Sequence, residues 1–534
     1  MKHERVLVAV ALLLVLCGIA GRFVHLDRHF YFHDEATTSL YLSGFTWHDF
    51  ERDVSSRTVN VADVRRYQHS GASGGLLTTV RHLAEGNPQH PPLFYVAARL
   101  WTVLAGSSIV SLRALAALFG VLTLPCVFWL GRELFQSAAP AWISVGMAAI
   151  SPFQLLYSQE AREYSLWAAT TALASAALLF ALRKQTRAAW AVYVICLVLA
   201  LYTFPLSLLV LACHAVYVVI DRAGSLKVFA VAAGAALVAS VPWALAILRN
   251  RSAFRSGTDW TSAPISFVTL LRSWLVALAD GVIDKPGDRA LSAPVALLLA
   301  AVVAVLLSAL GALWLRGPGR AARFVTLLVA ASFLTLATAD LAVGGQRSTV
   351  PRFLVPTYLG LTLALAFLIF QGLNSRVRHR RIGAVALAAG VIACAGGSYA
   401  HEAGARVWWN QDDGAAPENR AVVDALNRRE GAFLLATGGG ALLELTNYLR
   451  PGTRIRLVLE GVPPRVPRGT RRVFAYGSSA TPVAAGRLQR LLFALRRDGA
   501  QPEVVHLDLP CCGAAIHRLP NQFWRIRVPG AIGR

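Results

Sequence analysis

Three short stretches hold the side chains of this chain that could do chemistry. "YFHDEATTSL" (31–40) sets His33, Asp34 and Glu35 side by side directly after the first apolar run. "NPQHPPLFY" (87–95) puts His90 ahead of two prolines, which give the following apolar stretch a rigid helical entry. "SPFQLLYSQEAREYSLW" (151–167) sets Gln159, Glu160, Arg162, Glu163 and Tyr164 between two apolar runs. Charge beside hydrocarbon is costly, and where it persists it is commonly functional. Asp34 and Glu35 read either as a helix cap with solvated charge, or as a general base with a helper carboxylate or metal ligand. For the third stretch the alternatives are internal pairing of Glu160 with Arg162 and a solvated Glu163, or a substrate site.

An apolar scaffold must position these stretches. Of 534 residues, 55% are hydrophobic and 15% charged, which excludes an ordinary soluble chain and predicts a polytopic membrane protein. The net charge of +23 comes from arginine, because Lys2, Lys184, Lys227 and Lys285 are the only lysines. Those arginines lie in short loops between apolar runs, a pattern of membrane orientation and not of a nucleic-acid groove. The seven cysteines include no CxxC-type metal spacing.

At about 20 residues per crossing, about eleven spans are predicted. They lie near 6–24, 111–131, 138–157, 164–182, 188–204, 206–220, 227–248, 291–315, 322–341, 353–371 and 382–400. The first, preceded by Lys2 and Arg5, reads as an uncleaved signal anchor, since further spans follow. "RELFQ", "RKQTR", "DRAGSLK", "RGPGRAAR" and "NSRVRHRR" then share one side with Lys2 and Arg5, the cytoplasmic side by the positive-inside rule. The opposite, extracytoplasmic face receives a first loop (25–110), the 158–163 loop, a 249–290 loop, "GGQRSTVPR" and the tail. Within the first loop, 74–86 and 91–106 read as interfacial helices.

Two domains follow: a membrane domain over 1–400 and an extracytoplasmic α/β domain over 401–534. In the second, strands are predicted at the start of 432–449 and over 454–459, 471–477 and 502–509. A glycine turn and helix complete 432–449, and another helix lies near 484–497. "GGG" there lacks the third glycine of a dinucleotide fingerprint and reads as a tight turn.

The acidic pair after span one, the HPPL-F-Y stretch and YSQEAR-YSL, in this order, resemble the membrane-embedded GT-C glycosyltransferases. The nearest groups are the family-39-like enzymes, related to protein O-mannosyltransferases and the lipid A aminoarabinose transferase. The likeness covers residues 1–183 well and 340–360 more loosely, through "PRFLVP". It implies a multi-pass plasma (inner) membrane enzyme, a hexosyl- or pentosyltransferase. A sugar would pass from a polyprenyl-phosphate donor to a glycan, lipid or protein acceptor on the extracytoplasmic face. By resemblance Asp34 matches the catalytic base, Glu35 its acidic neighbour, and Glu160 the second acidic position. His90, Arg162 and Tyr164 belong to the matched motifs, and Arg352 resembles the arginine at the outer end of a late span. Glu163 departs from the pattern, which often has an apolar residue there.

Such a transfer needs a base for the acceptor hydroxyl and cations for the departing phosphate. Asp34 suits the first role; Arg162, Arg352, Lys285 and Arg272 are candidates for the second. A divalent metal would draw on Asp34, Glu35 and His90. The rival reading is a transporter or lipid flippase, which would also use charge among spans. Against it, the acidic residues sit in outer loops, with no internal repeat and no Walker lysine motif.

Overall fold

Hydrophobic runs with no water to satisfy their backbone must close their hydrogen bonds internally, and each of the eleven apolar segments is helical. The computed structural model describes residues 2–69, 74–284, 292–404, 416–460, 464–477, 482–505 and 523–527. Among the described residues eight helices are long and apolar enough to cross a bilayer, or up to ten if each of two bent helix pairs is one span. The eleven expected segments fall on these eight, on the bent pair Ala138–Ile150 and Pro152–Ser158, and on two shorter apolar helices. Arg187–Leu201 and Ser207–Asp221 have 15 residues each, about 22 Å of helix against a hydrocarbon core of about 30 Å. They form a short hairpin whose two far ends meet through a Gln185–Ser225 hydrogen bond of 2.8 Å. A second difference lies in the 249–290 loop. Residues Arg251–Ser262 and Phe267–Ala279 are helical and meet at 98°, so much of this segment is a bent helical pair.

The other bent pair, Ala138–Ile150 and Pro152–Ser158, turns by 58°. Its cause is local. Pro152 has no N–H, so the carbonyl of Ala148 loses its helical donor. Arg22, fully buried in the first helix, fills the gap: Nη2 donates to Ala148 at 3.2 Å and Nη1 to Ala149 at 2.6 Å. Its Nε donates to Ser158, at the end of the second half. The first helix approaches closely at Gly18, where a Cβ would lie 2.3 Å from the carbonyl oxygen of Ala149. This arrangement ends the helix just before the 159–163 loop and so aims that loop at the first one.

The polar stretches gather at one end of the bundle. At the opposite end the basic loops are held by pairs such as Arg183–Glu133 (2.6 Å) and Arg323–Asp221. The site-bearing end carries a six-stranded sheet, with spatial order β1-β3-β2-β4-β6-β5. Its strands are β1 (Val59–Asn60), β2 (Phe433–Ala436), β3 (Arg454–Leu457), β4 (Val473–Tyr476), β5 (Gln501–Val504) and β6 (Phe523–Arg527). The central strands β3, β2 and β4 are parallel; β1, β5 and β6 are added antiparallel. The helix and strands expected in 432–459, 471–477 and 484–497 are present, while residues 506–509 of the last expected strand lie outside the described residues.

Strand β1 comes from the first loop. Val59 pairs with Ile455 and Asn60 with Arg454. Beneath the pairing, Phe30, Tyr31, Tyr41 and Phe50 of the first loop share one buried core with Leu434, Leu443 and Tyr476. At roughly 1.5–3 kcal/mol per buried large side chain, this shared cluster holds the first loop firmly to the C-terminal unit.

Candidate active site

The helix His33–Leu42 begins at the acidic pair. Glu35 caps it, accepting the Phe32 N–H at 3.2 Å. The rest of its carboxylate is engaged by Arg113, whose Nε and Nη2 donate at 2.8 and 2.6 Å, and by the Ala161 N–H at 2.9 Å. Arg113 also donates to the carbonyls of Leu26, His29 and Phe30. Both side chains are buried. Such a pair shapes the chain from residue 26 to 35 and joins it to the 159–163 loop; Glu35 has no oxygen left to face a substrate. The C-terminal unit holds the same segment from the other side. The Tyr31 N–H donates to the Tyr448 hydroxyl at 2.7 Å, and Phe30 stacks on Tyr448 at 4.5 Å.

Arg162 is the second organising cation. Its Nη1 donates to the Tyr95 hydroxyl at 2.9 Å, the Asp34 carbonyl at 3.2 Å and Thr38 at 3.3 Å. Its Nη2 reaches His90, which lies 2.5 Å from Glu163 through Nδ1. The short contact to a carboxylate assigns the proton to Nδ1, leaving Nε2 to accept from Arg162 at 3.0 Å. Burial and Arg162 both lower the His90 pKa, in keeping with a neutral ring. Burial alone would raise the Glu163 pKa, but Arg162 and His90 bring it down to about 2. Arg162, with its hydrogen bonds turned inward, fixes the backbone at Asp34.

The side chain of Asp34 remains at the opening, 3.5 Å from Arg352. These two are 20% and 19% exposed, whereas Glu35, Arg113, Arg162 and Glu163 are at most 2% exposed. Arg352 lies over the rings of Trp260, Tyr164 and Phe353, with its guanidinium carbon 5.3, 5.7 and 5.8 Å from their centroids. Burial works to raise the Asp34 pKa, yet the charges of Arg352 and Arg162 outweigh it and hold the carboxyl well below the usual range. Glu160 is the contrasting carboxyl. It is buried, and neither oxygen has a hydrogen-bond partner among the described residues. Burial, then the charges of Glu35 and Asp34, push its pKa up to about 8.

Asp34, His90, Arg162, Tyr164 and Arg352 thus come together in one cluster, from which Asp34 and Arg352 are partly exposed. Glu35 is adjacent but turned to Arg113. Arg272 is exposed on the helix Phe267–Ala279, and Lys285 lies outside the described residues. Asp34, Glu35 and His90 do not fit a shared metal: Glu35 is saturated by four donors, and His90 is held between Glu163 and Arg162. Arg113, Tyr95 and Trp260 were missed by sequence reasoning. Arg113 carried a usable signal, a charge inside the apolar run "IVSLRALAALFG".

Residues 89–245 match the family model of the dolichyl-phosphate-mannose-protein mannosyltransferases. The crystal structure of ArnT from Cupriavidus metallidurans bound to undecaprenyl phosphate matches with TM-score 0.54 at 14% identity, covering 98% of this chain and 99% of that one. Its apo structure matches with TM-score 0.54 at 15% identity, covering 96% and 97%. The Archaeoglobus fulgidus oligosaccharyltransferase gives TM-score 0.48 at 12% identity, covering 86% of this chain and 65% of that one. A search of curated proteins gives no match. The chain thus shares its fold with the ArnT of C. metallidurans, and His90, Glu160, Arg162 and Glu163 lie inside the segment that matches the mannosyltransferase family model.

Proposed function

We propose that this chain transfers a hexosyl or pentosyl unit from a polyprenyl-phosphate carrier to an acceptor hydroxyl, with Asp34 as general base. The observation that carries the reading is the Asp34–Arg352 pair, a carboxylate and a guanidinium facing the same opening among charges that are otherwise buried. The matched family and the undecaprenyl phosphate bound by the ArnT of C. metallidurans support a lipid-phosphate donor. In the reaction, Asp34 takes the proton of the acceptor hydroxyl as its oxygen bonds to the sugar's C1. The bond from C1 to the phosphate oxygen breaks, and its electron pair leaves with the phosphate. Arg352, in its aromatic cage, meets the charge growing on that phosphate. A bound phosphate also competes with Asp34 for Arg352, which restores basicity to Asp34 when the donor is seated. Arg162 and His90 hold the geometry, and Glu160 is suited to hydrogen-bond the sugar as a neutral acid.

The extracytoplasmic face of the plasma (inner) membrane is the expected location of the site, supported by the basic loops at the opposite end. There a lipid carrier is at hand and a nucleotide sugar is not. Purified protein in nanodiscs should transfer sugar from a polyprenyl-phosphate donor and give no product from a nucleotide sugar. Product from the nucleotide sugar without a lipid carrier would overturn the reading.

A further inference from the structure

A second group of potential ligands lies apart from Asp34, where three distant parts of the chain meet. They are the loop after the first helix (His29), the residues after Phe267–Ala279 (Asp284), and the end of the helix Arg378–Gly404 (His401 and Glu402). His401 Nδ1 is 3.5 Å from Asp284 Oδ2 and 3.6 Å from Glu402 Oε1; His29 Nε2 is 3.6 Å from Glu402 Oε2. One ligand atom from each of Asp284, His401 and Glu402 falls within a span of 4.8 Å.

These spacings have a chemical meaning. Ligands about 2.0–2.1 Å from a tetrahedral zinc stand about 3.4 Å from one another, whereas a direct hydrogen bond would draw the same atoms to about 2.7–2.9 Å. Asp284 is buried, and its Oδ2 has no hydrogen-bond partner among the described residues. Its backbone N–H donates to Ser398 at 3.1 Å, which anchors the aspartate to the helix bearing His401 and Glu402.

We infer that Asp284, His401 and Glu402 form a structural site for a divalent cation of the zinc class. One imidazole and two carboxylates supply three protein ligands of the types zinc takes. His29, 3.6 Å from Glu402 Oε2, joins this group to the segment leading to Asp34 from outside the ligand set. The site is independent of the proposed transfer reaction, since none of the three residues touches Asp34 or Arg352.

The test is elemental analysis of tag-free, full-length protein purified in detergent without chelator, with thermal unfolding followed in parallel. About one equivalent of zinc is expected. His401→Ala is suited to the test because that side chain is half exposed, and Asp284→Asn is the second variant. Each should weaken zinc binding at least about 10-fold. A strong chelator should lower the wild-type Tm, added zinc should restore it, and His401→Ala should respond to neither. Wild-type protein without stoichiometric metal and without a Tm response to zinc overturns the inference. So does one equivalent that persists in both variants.

Discussion

Replacing Arg352 by glutamine isolates the electrostatic part of the proposed mechanism. The guanidinium lies 3.5 Å from the Asp34 carboxylate. A pair at that distance interacts by about 1 kcal/mol in a water-like medium and about 5 kcal/mol at an effective dielectric constant of about 20. Both groups are about one-fifth exposed, so solvent screening favours the lower part of the range, about 1–3 kcal/mol. That corresponds to about one to two pH units. The sign follows from the charges: a cation stabilises the carboxylate, so removing it raises the Asp34 pKa. The active base is the ionised form, and the acid limb of kcat/KM reports its pKa in the free enzyme. In the wild type this limb falls well below the ordinary carboxylate range, because Arg352 and Arg162 hold Asp34 down. In Arg352→Gln it should move up by roughly one to two pH units, with a loss of about 100- to 1000-fold in kcat from the missing phosphate contact. Arg352→Lys should keep the limb near its wild-type position. An equal rate loss with an unmoved limb in Arg352→Gln would refute the coupling of Arg352 to the base.

Asp34→Asn should still bind donor in a pull-down with labelled lipid but lose about 100-fold or more in transfer; near-normal turnover would move the base elsewhere. Glu35→Ala should destabilise the protein by about 3–5 kcal/mol, since it strands the buried Arg113, and an unchanged Tm in detergent would contradict that role. Glu160 stays neutral until the pH rises through about 8. An alkaline fall in kcat/KM near that pH should therefore vanish in Glu160→Gln, and its persistence would exclude Glu160 as its source. Gly440→Ala would bring a Cβ to 2.6 Å from His33 Nδ1; it should reduce transfer while leaving the helical circular dichroism unchanged, and full activity would mean that His33 can shift freely.

The spanning helices were legible because hydropathy is a local property. The short hairpin was read as two crossings because composition carries no sharp mark at Tyr202–Leu206, where both helices stop early. The 251–279 pair was read as a loop because Gly257, Pro264 and its arginines interrupt the apolar run, although the backbone continues as two helices. In the site, Asp34, His90 and Arg162 stood out as polar residues where apolar ones are the rule. The engagement of Glu35 by Arg113 was not legible, since the partner lies 78 positions away. Nor was Trp260, which acts only by lying beside Arg352. Strand β1 is two residues long, too short to leave a periodic pattern.

That short strand also imposes an order in time. Asn60 pairs with Arg454, almost 400 residues later, and the Tyr31 N–H donates to Tyr448. A ribosome delivers these partners last, after every spanning helix has been made. Until then the Asp34 segment has Arg113, Arg162 and the Ala161 N–H to hold it, and lacks Tyr448. A chain interrupted before residue 448 would carry the charged residues of the proposed site and still lack the Tyr448 contact that holds the segment before Asp34.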